Sequence, residues 1–148
     1  MRALIQRVKY AEVKVDGKTS GRIGAGLLIL LGVMKNDGER ECDRLAERCL
    51  KLRCFTDSDG KMNLNVSQIG GGILVISQFT LCADTASGHR PSFSSAAPPE
   101  PAKRLYERFI SVLRRAGIEV ETGVFGADMQ VELCNDGPVT LDLTEAGN

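Results

Sequence analysis

The stretch GGILVISQFTLCAD, residues 71–84, constrains the fold more than any other part of the chain, because an apolar run ends abruptly in polar side chains. Residues 73–76 are Ile, Leu, Val and Ile, and such a short apolar run predicts a strand buried in a core. Ser77, Gln78 and Thr80 follow almost at once. Polar groups at the end of a buried strand either cap loose backbone groups or form a site, and the sequence leaves both interpretations open.

The remaining patterns predict an α+β fold. Asp16-Gly17, between two runs of strand-like residues, is a strong hairpin signal. One helix begins with Asn36 or Asp37 as its N-cap, and a second occupies about residues 99–116. Because the strands mostly adjoin in sequence, we expect a largely antiparallel sheet. The predicted strands are 2–15, 18–24, 24–33, 72–78, 118–124, 129–134 and 139–144, with a short candidate at 52–56, a polar, turn-rich stretch at 57–65 and an NDGP turn at 135–138.

The composition is that of a globular protein, with 43% hydrophobic and 26% charged residues. The 148 residues fit a single domain, 1–148. Basic and acidic residues both number 19, so a nucleic-acid partner would have to meet a local basic patch rather than a global charge. The second helix offers either such a patch or an ordinary solvated face. Its basic residues are Lys103, Arg104, Arg108, Arg114 and Arg115.

The chain has five cysteines, an odd number, with no C-x-x-C spacing, which is typical of reduced thiols in a cytoplasmic protein. A single histidine, His89, argues against a zinc site, and no phosphate-loop or dinucleotide-binding motif is present. The first residues lack the apolar segment of a secretory signal. The longest apolar run, 27–31, is too short to span a bilayer.

Conventional nucleophiles find little support in the sequence. Ser77, Asp84 and His89 could form a triad, but no G-x-S-x-G motif surrounds Ser77. Cys82 with His89 is a second candidate pair, which would need an activated thiol. We therefore keep a serine or cysteine hydrolase of small esters only as an alternative.

A second polar stretch, NDGPVT at residues 135–140, reads by itself as an ordinary hairpin turn. Its Gly137–Pro138 bond is of the type that adopts the cis form at modest cost. A cis bond here would point two backbone carbonyls in the same direction. It would form a rigid wall made of main chain rather than of side chains.

The motifs together resemble those of the D-aminoacyl-tRNA deacylase family, over nearly the full length of the chain. The combination of SQFTL with a distant GPVT is highly specific, and we find no departure from the family pattern in these motifs. The matching stretches are LIQRV at 4–8, GKMN at 60–63, SQFTL at 77–81, GHRPSF at 88–93, FGADM at 125–129 and NDGPVT at 135–140.

The resemblance implies a barrel-like sheet with two main helices and a hydrolase that needs no cofactor or metal. Its substrate would be the ester that joins a D-amino acid, or mischarged glycine, to the 3′ end of tRNA. The family forms a homodimer with active sites at the interface. Gly137 and Pro138 would reach into the partner's site and reject L-amino acids by a clash, with Arg7 holding this segment.

The resemblance also assigns the other site residues. Phe125 and Met129 would line the pocket for the terminal adenine, with Ala102 near its mouth. The catalytic stretch would comprise Ser77, Gln78, Phe79 and Thr80, whose backbone N–H groups would hold the developing oxyanion. Water would attack with help from the 2′-hydroxyl of tRNA. Thr80 would line the site rather than act as the nucleophile.

One further alternative is a non-catalytic RNA-binding module. Such a module would bind tRNA without turnover and would need a basic or aromatic-rich surface. Aromatic residues make up only 5% of the chain, and there is no tryptophan, so base-stacking platforms are scarce.

Overall fold

The computed structural model describes residues 1–147, which form an α+β fold of eight strands, two helices and a short 3-10 turn. The main sheet has the order β2-β1-β3-β6-β7, with β8 pairing along β1. The elements are β1 Arg2–Val15, β2 Lys18–Ile23, β3 Gly26–Gly32, α1 Glu39–Lys51, β4 Phe55–Thr56, β5 Met62–Leu64, β6 Gly72–Ser77, the 3-10 turn Phe79–Cys82, α2 Pro99–Arg115, β7 Glu119–Thr122 and β8 Gln130–Thr144.

The sheet is largely antiparallel and nearly closes into a barrel, which confirms the predicted fold class. β1 pairs antiparallel with β2, β3 and β8. The two parallel pairings, β3 with β6 and β6 with β7, both involve the apolar strand β6. Opposite them β2 approaches β7, where the Ser20 hydroxyl donates a hydrogen bond of 3.0 Å to the Thr122 carbonyl.

The first hairpin forms where the sequence predicts it. Asp16 and Gly17 connect β1 to β2 with φ angles of 49° and 76°. A two-residue hairpin whose central residues both have positive φ matches the twist of the flanking strands, and Asp-Gly supplies these angles at little cost.

Strands β3 and β6 are buried on both faces, because helices cover one face and the barrel interior covers the other. Alternate residues, such as Ile73 and Val75, face the helix layer. Leu74 and Ile76 face the barrel interior. The helices contribute Cys42, Leu45, Ala46, Cys49, Leu105, Tyr106, Phe109, Ile110 and Leu113 to the core.

The predicted start of α1 is wrong by one or two residues. The N-cap is Gly38, whose N–H donates to the Glu41 carboxylate at 2.8 Å, rather than Asn36 or Asp37. The Asp37 carboxylate cannot cap the helix because it accepts from the Met34 N–H at 2.6 Å and pairs with the terminal amino group at 2.7 Å.

The predicted NDGP turn is also wrong, because residues 130–144 form one continuous strand that pairs with β1 on both sides of the NDGP segment. The register shifts on either side of Val8, opposite the NDGP segment. Asn135 spans this irregularity: its carboxamide oxygen accepts from the Val139 N–H at 2.7 Å, and its NH2 group donates to the Val139 carbonyl at 3.2 Å. The polar stretch 57–65 likewise contains a short strand, β5.

Within residues 1–147, neither helix has the length and hydropathy of a membrane-spanning segment.

Candidate active site

The candidate site lies at the carboxyl end of β6, and we call residues Ser77–Thr80 the strand-end site. Strands β3, β6 and β7 run parallel, so their carboxyl ends share one edge of the sheet. The Gln78 N–H continues the pairing by donating to the Leu31 carbonyl at 2.8 Å. The chain then leaves the sheet as the 3-10 turn. An apolar strand buried on both sides therefore fixes the position of the polar residues that follow it.

Two backbone donors in the strand-end site are available to a ligand. The turn is closed by the Leu81 N–H, which donates to the Gln78 carbonyl at 3.2 Å, and by the Ala83 N–H, which donates to the Thr80 carbonyl at 3.2 Å. The N–H groups of Phe79 and Thr80 have no acceptor within residues 1–147. Two adjacent N–H groups on a fixed backbone can stabilise negative charge on an oxygen atom.

The Thr80 hydroxyl is paired with an amide and not with a base. The Gln78 Nε2 donates to Thr80 Oγ1 at 2.5 Å. No hydrogen bond in the described part of the chain joins Thr80 to a carboxylate or an imidazole. This arrangement orients the hydroxyl without activating it as a nucleophile, because activation needs an adjacent general base.

Contacts from β1 and β3 hold the 3-10 turn. Nη1 of Arg2 donates to the Leu81 carbonyl at 3.1 Å. Gly32 faces the turn so closely that an added Cβ would lie 3.1 Å from Leu81 Cβ and 3.2 Å from Cys82 Sγ. Neither Arg2 nor Gly32 emerged from the sequence as a site residue, since both contacts join segments that are distant along the chain.

The structure does not assemble the two conventional nucleophile sites. No hydrogen bond links Ser77, Asp84 and His89 within residues 1–147, and the Asp84 carboxylate instead accepts from the Ala86 N–H at 2.9 Å. Cys82 is buried, its thiol donates to the Val33 carbonyl at 3.5 Å, and burial raises its pKa. An activated thiol needs the opposite shift.

Phe125 and Ala102 lie on the side of the sheet that the helices cover, and both lie near Tyr106. The Phe125 ring is 5.8 Å from the Tyr106 ring, and Ala102 lies one turn before Tyr106 on α2. The Tyr106 hydroxyl donates to the Val75 carbonyl at 3.2 Å, two residues before the strand-end site. Tyr106 did not emerge from the sequence as a site residue, and its hydroxyl is the one signal in the sequence of a contact beyond helix packing.

Met129 approaches this edge from the other face of the sheet. It packs against the interior cluster that contains Leu74 and Ile76, whereas Phe125 packs against the helix-side cluster. Its Sδ lies beside Gly123, whose N–H donates to the Val75 carbonyl at 3.4 Å. The structure therefore brings Phe125 and Met129 to the end of β6 from opposite faces.

The Gly137–Pro138 segment is exposed, and its peptide bond is cis. Arg7, with a side chain that is 11% exposed, holds the backbone next to it. Its Nε donates to the Asp136 carbonyl at 2.8 Å, and its Nη1 donates to the Cys54 carbonyl at 2.7 Å. A Cβ added at Gly137 would lie 3.0 Å from Nη2 of Arg7. The guanidinium therefore lies directly against the segment.

Within one chain, the Gly137–Pro138 segment and the strand-end site are far apart. Ser77 is level with Leu31 and Ala3 across the sheet. The segment lies between the positions opposite Gln6 and Val8. This offset corresponds to about 10–16 Å along the strands, and β1 and β3 separate β8 from β6 by about 14 Å more across the sheet. The segment therefore does not line its own chain's strand-end site.

The predicted basic patch on α2 is smaller than the sequence suggests. Arg108 makes a two-pronged pair with Asp43 on α1, with both N–O distances 2.7 Å, and also pairs with Glu39 at 3.1 Å. Arg114 donates to the Val120 carbonyl at 3.1 Å. These two arginines contact other elements of the fold, which leaves Lys103, Arg104 and Arg115 as exposed basic residues of the helix without such a contact in residues 1–147.

Comparison with known proteins gives consistent matches over nearly the whole chain. The family model described as D-Tyr-tRNA(Tyr) deacylase matches residues 4–144. The D-aminoacyl-tRNA deacylase of Cronobacter sakazakii is 61% identical over 143 residues, covering 97% of this chain and 99% of that protein. The one of Anaeromyxobacter dehalogenans is 57% identical over 143 residues, covering 97% of this chain and 96% of that protein.

Two solved structures share the fold. The c-Myc DNA Unwinding Element Binding Protein has a TM-score of 0.93 and 38% identity, covering 99% of this chain and all of that one. A probable eukaryotic D-amino acid tRNA deacylase has a TM-score of 0.81 and 17% identity, covering 96% of this chain and 98% of that one, and supports the fold alone.

Fold and matches together define the class: the chain is a hydrolase, as predicted. It belongs to the D-Tyr-tRNA(Tyr) deacylase family, which confirms the resemblance of its motifs.

Proposed function

We propose that the protein, as a single domain, hydrolyses the ester between a D-amino acid and the 3′ end of tRNA in the cytoplasm, and that mischarged glycine is a second substrate. Its relatives are named for the first of these activities. The observation that carries the proposal is the pair of free N–H groups on Phe79 and Thr80 at the fixed end of β6. Ester hydrolysis passes through an oxyanion, and such donors stabilise it.

The chemical step needs no nucleophile from the protein. Water attacks the ester carbonyl carbon, and the carbonyl oxygen takes the negative charge beside the Phe79 and Thr80 N–H groups. Collapse of this intermediate breaks the bond to the 3′ oxygen of the terminal ribose, which leaves with a proton. The neighbouring 2′-hydroxyl of tRNA assists this proton transfer. The amide-held Thr80 hydroxyl supports this assignment, because it lacks a base.

We further propose that the active unit is a homodimer in which the Gly137–Pro138 segment of one chain enters the strand-end site of its partner. Two observations support this geometry. The first is that the segment is exposed while Arg7 holds the backbone next to it. The second is that the segment lies too far from its own chain's strand-end site to act there. A backbone wall beside the α-carbon of the substrate would collide with an L side chain and leave room for a D side chain or for hydrogen.

The terminal adenine of tRNA would lie between the loop that carries Phe125 and Met129 and the first turns of α2, where Ala102 lies. Both side chains lie close to contacts of the Val75 carbonyl, two residues before the strand-end site: Phe125 packs on Tyr106, and Met129 lies beside Gly123. An aromatic ring and a thioether form an apolar surface on which a base can stack without a sequence-specific contact.

A binding protein without turnover is the second candidate, because a structural relative at 38% identity is named as a DNA-element binding protein. The test is to incubate the protein with D-Tyr-tRNA, L-Tyr-tRNA and Gly-tRNA and to measure the free amino acid released. We expect release from the D and glycyl substrates and none above background from the L substrate. Binding without release would establish the second candidate, and equal release of both hands would refute the chiral mechanism.

A further inference from the structure

A surface loop next to the strand-end site has no role in the function proposed above. We call residues 85–91, TASGHRP, the Arg90 loop. It begins three residues after the 3-10 turn, and its ends are clasped by two backbone hydrogen bonds. The Asp84 N–H donates to the Ser92 carbonyl at 2.7 Å, and the Ser92 N–H donates back to the Asp84 carbonyl at 2.9 Å.

The loop is anchored to the strand-end site by an aromatic pair. The Phe93 ring meets the Phe79 ring edge to face, with centroids 5.0 Å apart and an interplanar angle of 64°. Phe79 itself is 57% exposed, so the aromatic pair lies at the surface of the protein. The Arg90 loop therefore lies beside the exposed part of the strand-end site.

The loop presents charge that the protein does not neutralise. Arg90 and His89 are exposed, and within residues 1–147 neither makes a salt bridge or a side-chain hydrogen bond. The Asp84 carboxylate lies at the base of the loop and accepts from the Ala86 N–H. The side chains of Arg108 and Arg114, by contrast, are engaged by other parts of the protein.

We propose that the Arg90 loop binds the phosphate backbone of the single-stranded 3′ end of tRNA, just upstream of the esterified nucleotide. This inference rests on the proposed function, because it is the ester in the strand-end site that places the strand beside the loop. A guanidinium fits a phosphate with two parallel hydrogen bonds. Contacts of this kind supply affinity and register for nucleic acids without reading the bases.

The test compares two substrates that share the ester but differ in phosphates: D-Tyr-tRNA and D-tyrosyl-adenosine, which has none. Arg90→Gln should raise KM and lower kcat/KM about tenfold on the tRNA substrate, with kcat unchanged. It should leave hydrolysis of D-tyrosyl-adenosine unaltered. Arg90→Lys should restore part of the loss, and Arg90→Gln should flatten the salt dependence by about 0.7 in log–log slope.

Arg44→Gln is the matched control, since Arg44 is an exposed arginine on the outer face of α1, away from the loop, and makes no salt bridge or side-chain hydrogen bond within residues 1–147. It should change neither substrate. Equal losses on both substrates would make Arg90 a structural residue and overturn the proposal. So would no loss on tRNA, or an equal loss with Arg44→Gln, which would indicate bulk charge.

Failure of the proposed function is distinguishable, because wild-type protein would then hydrolyse neither ester. In that case the loop is tested by binding, using fluorescence anisotropy with intact tRNA and with tRNA trimmed of its terminal CCA. Arg90→Gln should weaken binding of the intact tRNA about tenfold and leave binding of the trimmed tRNA unchanged. The same affinity of wild type and Arg90→Gln for intact tRNA would overturn the proposal.

Discussion

The strand-end site and the Gly137–Pro138 segment are both fixed pieces of backbone, yet the molecule fixes them by different means. The strand-end site follows four side chains of β6 that are at most 2% exposed. Their burial stabilises that strand by about 6–12 kcal/mol in total. The segment lies exposed on β8 and is held by Arg7 and Asn135, whose hydrogen bonds are worth about 0.5–3 kcal/mol each.

This difference separates the two proposed tasks. A group that stabilises a transition state must stay within a fraction of an ångström, and a core strand holds it so. A wall that enters a partner's cavity must be exposed, so a hydrophobic core cannot hold it in place. Hydrogen bonds from polar side chains beside the segment hold it instead. The strand-end site should therefore be sensitive to packing changes, and the segment to loss of single polar side chains.

The largest effect on rate is expected from crowding the 3-10 turn. In Gly32→Ala the new methyl group would lie 3.1 Å from Leu81 Cβ and 3.3 Å from the Gln78 carbonyl oxygen, so the turn must shift by a few tenths of an ångström. A 1 Å error can cost about a hundredfold in rate, so we expect kcat on D-Tyr-tRNA to fall about ten- to thirtyfold. Overpacking should also lower the free energy of unfolding by about 1–3 kcal/mol.

Gly24→Ala is the matched control, because Gly24 precedes the same strand and an added Cβ there meets nothing within 4 Å. Single-turnover kinetics and thermal unfolding of the two variants separate a local effect from a global one. If both variants keep wild-type kcat, the precise position of the turn does not matter and the backbone model of catalysis fails.

The second largest effect is expected from loosening the Gly137–Pro138 segment. Arg7→Ala removes the donors to the Asp136 and Cys54 carbonyls, so the backbone beside Gly137 loosens. We expect the ratio of D-Tyr-tRNA to L-Tyr-tRNA hydrolysis to fall about tenfold, since a mobile wall excludes the L side chain less well. Arg7→Lys should lie between, because an ammonium cannot reproduce the planar fork. An unchanged ratio in a folded Arg7→Ala protein would remove the wall from the mechanism.

Mixing the two variants tests whether the regions meet across a subunit boundary. In a heterodimer of Gly32→Ala and Arg7→Ala chains, one site combines an intact strand end with an intact segment, and the other combines both defects. Random pairing makes half of the dimers mixed, so only the Arg7→Ala homodimers, a quarter of all dimers, join an intact strand end to a defective segment, and hydrolysis of L-Tyr-tRNA should be about half the average of the two pure variants. Activity that stays at the average of the two pure variants would place both regions in the same chain's site.

The sequence predicted the strand-end site better than the segment, for a physical reason. Residues 73–76 are apolar enough to require burial on both faces, and a buried strand must end where its apolar run ends. The polar stretch at 77–80 could therefore be placed from local information. The sequence does not show how the hydrogen bonds of the 3-10 turn form, and it therefore could not predict which N–H groups of this stretch are left without an acceptor.

NDGP was predicted as a turn because each of its residues favours turns. The long pairing with β1 and the side chain of Asn135 override that local preference. The predicted start of α1 was wrong for a similar reason. The Asp37 carboxylate pairs with the terminal amino group, which is a tertiary contact, and so it does not cap the helix. Local sequence patterns predict secondary structure well where burial determines it. They predict it poorly where the hydrogen-bond or charge partners are distant along the chain.

A smaller effect is expected from removing the Thr80 hydroxyl. Thr80→Val keeps the shape and loses only the acceptor for the Gln78 amide, which is half-exposed and can turn to water. We expect single-turnover deacylation of D-Tyr-tRNA to fall no more than about threefold, since no base is present to make the hydroxyl a nucleophile. A near-complete loss of activity in a folded protein would show that Thr80 takes part in the chemistry.

The smallest effect should come from the contact that ties α2 to β6. Tyr106→Phe removes one hydrogen bond to the Val75 carbonyl, which still accepts from the Gly123 N–H, so unfolding should cost about 1 kcal/mol less with kcat unchanged. Burial raises the pKa of Tyr106 to about 12, above the ~10 of an unfolded chain, so the advantage of tyrosine is complete below pH 10 and is lost as pH rises towards 12. Denaturant unfolding of both proteins at pH 8 and pH 11 measures this difference. A kcat that falls with Tyr106→Phe at pH 8 would mean that burial of β6 alone does not hold the strand-end site in place.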